Sequence, residues 1–244
     1  MSVTNVLATA ARLLTQLRHD RRTLALALVV PPALLTLLRY VFDASPGTFA
    51  RIGPPLVGLF PLVVMFLLTS IAMLRERTTG TLERLMSLPL AKLDLLLGYG
   101  LAFALLAAIQ ATVTSTVAFW WLDVHTSGSV LAVGALAVAN ALLGMALGLF
   151  LSAFASTEFQ AVQFMPAVLL PQILLSGLLA PREQMPHLLR ILSDVLPVTY
   201  AYDALSRVTS GRSGARLWLD IAVTVGAILL AVTLGAATLR RRTP

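Results

Sequence analysis

The chain has no cysteine, a single lysine and few charges of either sign. The missing thiols exclude disulfides, thiolate nucleophiles and Cys-ligated metals. Charged residues make up 12% of the 244 positions and hydrophobic ones 58%, with mean hydropathy +0.87. A soluble domain carries about 25% charged residues. So little polar surface cannot cover a water-soluble fold of this size, and the bilayer is the solvent that fits. Lys92 is the lone lysine, and every other basic residue is arginine. The net charge of +7 sits in short clusters between apolar runs, a pattern of membrane topology rather than of a nucleic-acid-binding face.

Catalytic motifs are missing too. A P-loop ends its Gly-rich turn in Lys and Ser/Thr, but Lys92 follows no such turn. The three histidines, His19, His125 and His187, are far apart and fall in predicted loops, so no paired-His metalloprotease site and no metal site is expected. Residues 1–22 have no apolar core ahead of their basic cluster, which argues against a cleavable signal peptide. The apolar runs hold almost no ionisable residues, and Arg39 and Glu158 lie near run ends. Proton- or ion-coupled carriers place such groups inside the bilayer. Energy for transport should therefore come from elsewhere. A stand-alone channel or secondary carrier is the alternative reading, and a membrane-embedded enzyme lacks a nucleophile or metal constellation.

What is present is a series of spans. A helix crossing the hydrocarbon core needs about 20 apolar residues. Six segments qualify: 24–42, 54–74, 95–121, 130–154, 161–180 and 217–239. Pro31 and Pro32 should kink or restart the first, because proline lacks an N–H and clashes with the preceding turn. Basic residues set orientation. Eleven of the eighteen lie in the N-terminal segment, the loop after span two and the C-terminal tail. Those three segments share one side, so both termini should be cytoplasmic. The exception is 181–216, with Arg182, Arg190, Arg207, Arg212 and Arg216 on the opposite side, although long loops obey the rule poorly.

Residues 1–23 read as an amphipathic helix on the inner membrane surface, with Val6, Leu7, Ala10, Leu13, Leu14 and Leu17 on one face and Arg12 and Arg18 elsewhere. Anionic lipid suits such a helix. Residues 181–216 read as one or two amphipathic helices at the outer interface, or as an ordinary outer loop. Gln110, Asn140, Gln163 and Gln172 are polar positions within the spans. They either bond neighbouring helices or line a substrate path. Gly144 and Gly148 allow close helix contact and offer a weak dimer seam. No internal repeat or low-complexity tract is seen, so 1–244 reads as one all-α membrane domain.

The most informative stretch is 75–94. Gly80 breaks the chain after span two. Thr81 can cap a short helix carrying Glu83 in its first turn, and Pro89 ends it. The pattern Glu76, Gly80, Thr81, Leu82, Glu83, Leu85, Pro89 resembles the signature of ABC-2 type permeases, the family that includes daunorubicin-resistance-type membrane subunits. A second pattern supports the resemblance: Gly177, Leu178, Pro181, Met185, Pro186, Leu189, Leu196, Pro197, Thr199, Tyr200, Ala204 and Leu205.

That resemblance implies an exporter permease of the plasma membrane, working with a separate ABC ATPase that binds ATP and Mg, and with a second copy of itself or a sister permease. No cofactor would be bound by this chain, and no nucleic acid. Residues 80–89 would form the cytoplasmic coupling helix. Arg75, Glu76, Arg77, Glu83 and Arg84 would carry the ATP-driven movement, with Thr81, Leu82 and Leu85 completing the contact. Residues 181–205 would be a re-entrant outer hairpin, gated around Gly177, Pro181, Met185, Pro186, Pro197, Thr199 and Tyr200. The cargo would be a lipophilic drug, antibiotic or lipid-like molecule.

Overall fold

The computed structural model describes residues 2–80 and 92–238, and among these every regular element is a helix. They are α1 (Val3–His19), α2 (Arg21–Val41), α3 (Pro46–Thr78), α4 (Lys92–Thr116), α5 (Val130–Leu151), α6 (Glu158–Phe164), α7 (Leu170–Leu175), α8 (His187–Val195), α9 (Pro197–Thr209) and α10 (Ala215–Ala237). π-helical turns extend α4 through Val117–Trp121 and join α6 to α7 through Met165–Leu169. Among the described residues, six helical stretches are long and apolar enough to cross a bilayer: Arg21–Val41, Gly47–Thr78, Leu97–Trp121, Val130–Phe154, Glu158–Leu175 and Ala215–Ala237. The expected six-span, all-α architecture is the observed one.

The spans differ from expectation in three places. The helix of span two begins at Pro46 rather than near position 54, because Pro46 supplies a first-turn proline whose missing N–H costs nothing there. Span one runs unbroken through Pro31 and Pro32. Pro31 leaves the Ala27 carbonyl without its intrahelical donor, and the Gln110 amide on α4 supplies one at 2.7 Å. Span five stops at Leu175 instead of near 180, since Gly177 takes φ +100 and turns the chain.

The centre of the bundle is α3 against α5. At Gly144 an added Cβ would sit 2.0 Å from the Leu62 carbonyl oxygen, and at Gly148 it would sit 2.2 Å from Thr69 Oγ1. The small-residue seam is therefore buried within one chain, and it does not offer the dimer contact expected of it. Around this centre, α2, α6–α7 and α10 keep most of their surface outside the fold: 22%, 17% and 17% of their apolar windows are buried. Such faces suit lipid. Trp120, Trp121 and Trp218 are all exposed near the start of α10 and the end of the α4 span, where an aromatic belt meets the bilayer interface.

Helix α1 lies against α4 and is more than a surface helix. Its Ala10, Leu13 and Leu17 are buried, whereas Leu7 is exposed. Asp20 ends the connection by capping α2, accepting from the Thr23 amide at 3.1 Å and hydroxyl at 2.6 Å. Those bonds hold its carboxyl below the ordinary range. α3, with 33 residues, is about 50 Å long at 1.5 Å per residue. It joins two polar regions at opposite ends of the bundle, one beside α1 and one beside α8 and α9.

Candidate functional site

At the α1 end, the last turns of α3 hold charges in two directions. Glu76 is 5% exposed and turns inward, with Arg12 Nη2 at 3.5 Å from both carboxylate oxygens. The same Arg12 nitrogen donates to the Tyr99 hydroxyl at 2.6 Å, and its guanidinium lies over the Tyr99 ring at 5.7 Å. Arg12 was expected away from the apolar face of α1, but its carboxylate partner draws it into the bundle. This knot ties α1, α3 and α4 together. A further tie joins the Ser2 amide to the Asp94 carboxylate at 3.1 Å. One residue before Glu76, Arg75 points outward and grips Glu158 at the start of α6, Nε to Oε1 at 2.6 Å and Nη2 to Oε2 at 3.0 Å. This two-pronged pairing fixes orientation as well as distance.

Arg77 is half-buried, and its Nε has no hydrogen-bond partner among the described residues. Gly80 takes φ +72, a turn conformation that glycine adopts without a steric penalty. Thr81, Leu82, Glu83, Arg84, Leu85 and Pro89 lie outside the described residues. Arg75, Glu76, Arg77 and Gly80 thus stand at the root of the expected coupling segment.

At the opposite end, the chain leaves α7 and folds back as α8 and α9. Nine and thirteen residues are too few to cross a bilayer. Yet Val198, Ala201, Ala204 and Leu205 of α9 are fully buried against the bundle. The expected gate residues meet here. Pro197 opens α9 at its first position, where proline is pre-organised. Thr199 is buried and shares a 3.2 Å hydroxyl contact with Ser193, whose own hydroxyl donates to the Leu175 carbonyl at 2.8 Å. Tyr200 donates to the Asp194 carbonyl at 2.6 Å. Arg182, just past Gly177 and Pro181, bonds Asp203 at 2.8 Å and also pairs with Asp194. Met185 is half-buried and Pro186 is exposed. Burial pushes the Asp203 carboxyl above its ordinary range despite the adjacent Arg182, and it raises the Tyr202 hydroxyl as well.

The polar span positions separate. Gln110 and Asn140 are buried between helices, Asn140 with its amide 3.5 Å from the Ala201 carbonyl. Gln172 is buried on its own helix, bonding Val168 at 3.1 Å, and Gln163 alone is exposed. Sequence reasoning missed the Arg12–Glu76–Tyr99 knot and the pairing of Arg207 with Asp220 at 2.8 Å. Only the nearness of acids to the excess arginines of 181–216 hinted at the second.

These features define an all-helical, multi-pass membrane domain whose charged groups are collected at its two ends. The chain belongs to the ABC-2 type transporter family, which it matches over residues 4–209. It is 25% identical over 194 residues to ABC transporter G family member 20 of Dictyostelium discoideum, covering 78% of this chain and 27% of that protein. It is 28% identical over 155 residues to the probable multidrug ABC transporter permease YbhR of Escherichia coli (strain K12), covering 64% of this chain and 42% of the relative. For YbhS of the same strain the figures are 28% over 168 residues, 68% and 45%. The chain thus spans less than half the length of each of these relatives.

Proposed function

We propose that this chain is the membrane-spanning permease subunit of an ATP-driven exporter, drawing its energy from a separate ABC ATPase. In this reading both termini face the cytoplasm and the protein resides in the plasma membrane. The ATPase docks on 75–94, with Glu83, Arg84 and their neighbours as contacts. Cargo is a lipophilic drug, antibiotic or lipid-like molecule, as the names of the Escherichia coli relatives encourage. It leaves past the re-entrant hairpin around Gly177 to Tyr200. A second copy or a sister permease completes the path.

The observation that carries this reading is the root of the coupling segment. Arg75 and Glu76 are adjacent, and they attach to different helices: Arg75 to α6, Glu76 to α1 and, through Arg12, to α4. A push on 81–91 would move four helices together, which is what a power stroke borrowed from a neighbour requires.

The natural absence of cysteine makes the orientation test clean. A single cysteine placed at position 84 should label only from the cytoplasmic side, and labelling from outside would end the reading. Co-purification with the ATPase should be lost on E83A/R84A. Proteoliposomes should move a lipophilic compound only with ATP and the ATPase present. Transport by the permease alone would favour the stand-alone carrier instead.

A further inference from the structure

The α8–α9 end holds more positive charge than its own carboxylates neutralise. Between the start of α3, the α4–α5 loop, the Gly177 turn and helices α8, α9 and α10 lies a cavity of about 1280 Å³. Its lining includes six arginines, and four carboxylates: Glu183, Asp194, Asp203 and Asp220. Arg182 and Arg207 form the half-buried floor, and Asp194, Asp203 and Asp220 answer them. Arg51, Arg190, Arg212 and Arg216 are exposed on the walls, with no carboxylate at ion-pair distance among the described residues. On the floor, Arg182 Nε is buried with no hydrogen-bond partner among the described residues.

Unanswered guanidiniums facing one recess concentrate its positive field, because low-dielectric walls focus field lines into a cleft. Their planar forks match the oxygens of phosphate two at a time. The position fits an amphiphile as well as a solute. Trp218 is exposed two residues from Arg216, and α8 exposes Leu188 and Ile191 beside Arg190, so the recess opens where a lipid headgroup would lie. It also accounts for the arginines of 181–216, which stand on the side where positive charge is otherwise sparse.

We infer that this cavity binds a phosphate-bearing group, held between Arg51 in the first turns of α3, Arg212 in the turn before α10 and Arg216 in the first turn of α10. The inference deepens the transporter reading, since on that topology the site faces outward. The binding itself needs neither ATPase nor transport.

The test uses the purified full chain. Phosphatidylglycerol and phosphatidylcholine nanodiscs serve as lipid probes, with lipid retention read by native mass spectrometry. Glycerol 1-phosphate against glycerol serves as the soluble probe, read by calorimetry. The wild type should retain phosphatidylglycerol over phosphatidylcholine. R51Q/R212Q/R216Q, with unchanged helicity and elution, should lower that preference by about tenfold, a loss of about 1.4 kcal/mol. R51K/R212K/R216K should keep part of it. Glycerol 1-phosphate binding alongside the lipid preference identifies the headgroup as sufficient. Lipid preference without it identifies a membrane-anchored ligand, and binding of the soluble probe alone identifies a free solute. Binding should weaken as salt rises from about 50 mM to about 500 mM. Failure of both probes, an unchanged Gln triple or salt-independent binding overturns the site. A failed transport assay leaves this result untouched.

Discussion

The side-chain amide of Gln110 donates to the carbonyl of Ala27, the one that Pro31 strips of its helical donor. Q110L removes that donor and leaves a buried carbonyl unpaired. It also removes a Gln Oε1 that is buried without a partner among the described residues, so the net cost should be about 1 kcal/mol. P31A restores a backbone N–H. A double-mutant cycle read by unfolding in mixed micelles should therefore show Q110L costing less in the P31A background. Equal costs would mean that the bond does not answer the proline.

The α3–α5 seam predicts a contrast between two glycines. G144A forces a methyl into the Leu62 carbonyl and should destabilise the protein by about 1–3 kcal/mol. G226A adds the same methyl on α10, where nothing lies within 4 Å, and should be neutral or stabilising by about 0.5–1 kcal/mol. Comparing the two by thermal unfolding separates packing from helix propensity. A milder G144A than G226A would refute the close approach.

Asp220 is buried one turn into α10 and is held by Arg207. R207L strands the carboxylate. It should cost more than the double R207L/D220N, in which no charge is left uncompensated. A single variant no worse than the double would show that solvent already serves Asp220.

Asp203 gives a pH dependence with a definite sign. Burial raises its folded-state pKa above the ordinary 3.8, so the folded protein holds this proton more tightly than the unfolded chain does. Its contribution to stability is complete below 3.8 and is lost as pH rises through the raised value. D203N should flatten the stability–pH curve in that acidic window and leave it unchanged at the lowest pH. A curve of the same slope in the variant would assign the dependence to other groups.

The Arg75–Glu158 pair is about half exposed on both sides, so its stability contribution is below about 1 kcal/mol. Its expected effect is on coupling. R75E should reduce ATP-driven transport while leaving the melting temperature nearly unchanged, and R75E/E158R should restore transport. Full activity in R75E would remove the pair from the coupling path.

The spans were readable in the sequence because twenty apolar residues in a row are a one-dimensional signal, which no tertiary contact is needed to interpret. The Gly177 turn was hidden, because the apolar run continues to Ala180 and gives no sign that the helix stops at Leu175. The Arg12–Glu76 contact was hidden too, because its partners are 64 positions apart and a basic residue on an amphipathic helix looks solvated until a carboxylate faces it. Pro31 announces an unpaired carbonyl, but nothing local says that Gln110 will reach it. The long start of α3 escaped notice because Arg51 lowers the local hydropathy, even though the helix continues past the apolar core to carry it. The coupling residues Thr81 to Leu85 and Pro89 stand where the sequence left them, as assignments resting on the family pattern.

The unbroken helix from Pro46 to Thr78 has an anatomical consequence. It is one continuous helix, with Arg51 exposed at the arginine-lined recess near its start and Arg75 fastened to α6 near its end. A molecule wedged against the first would restrain the second. On the proposed topology, a blocker would not have to enter the cell, or touch the ATPase, to jam the machine.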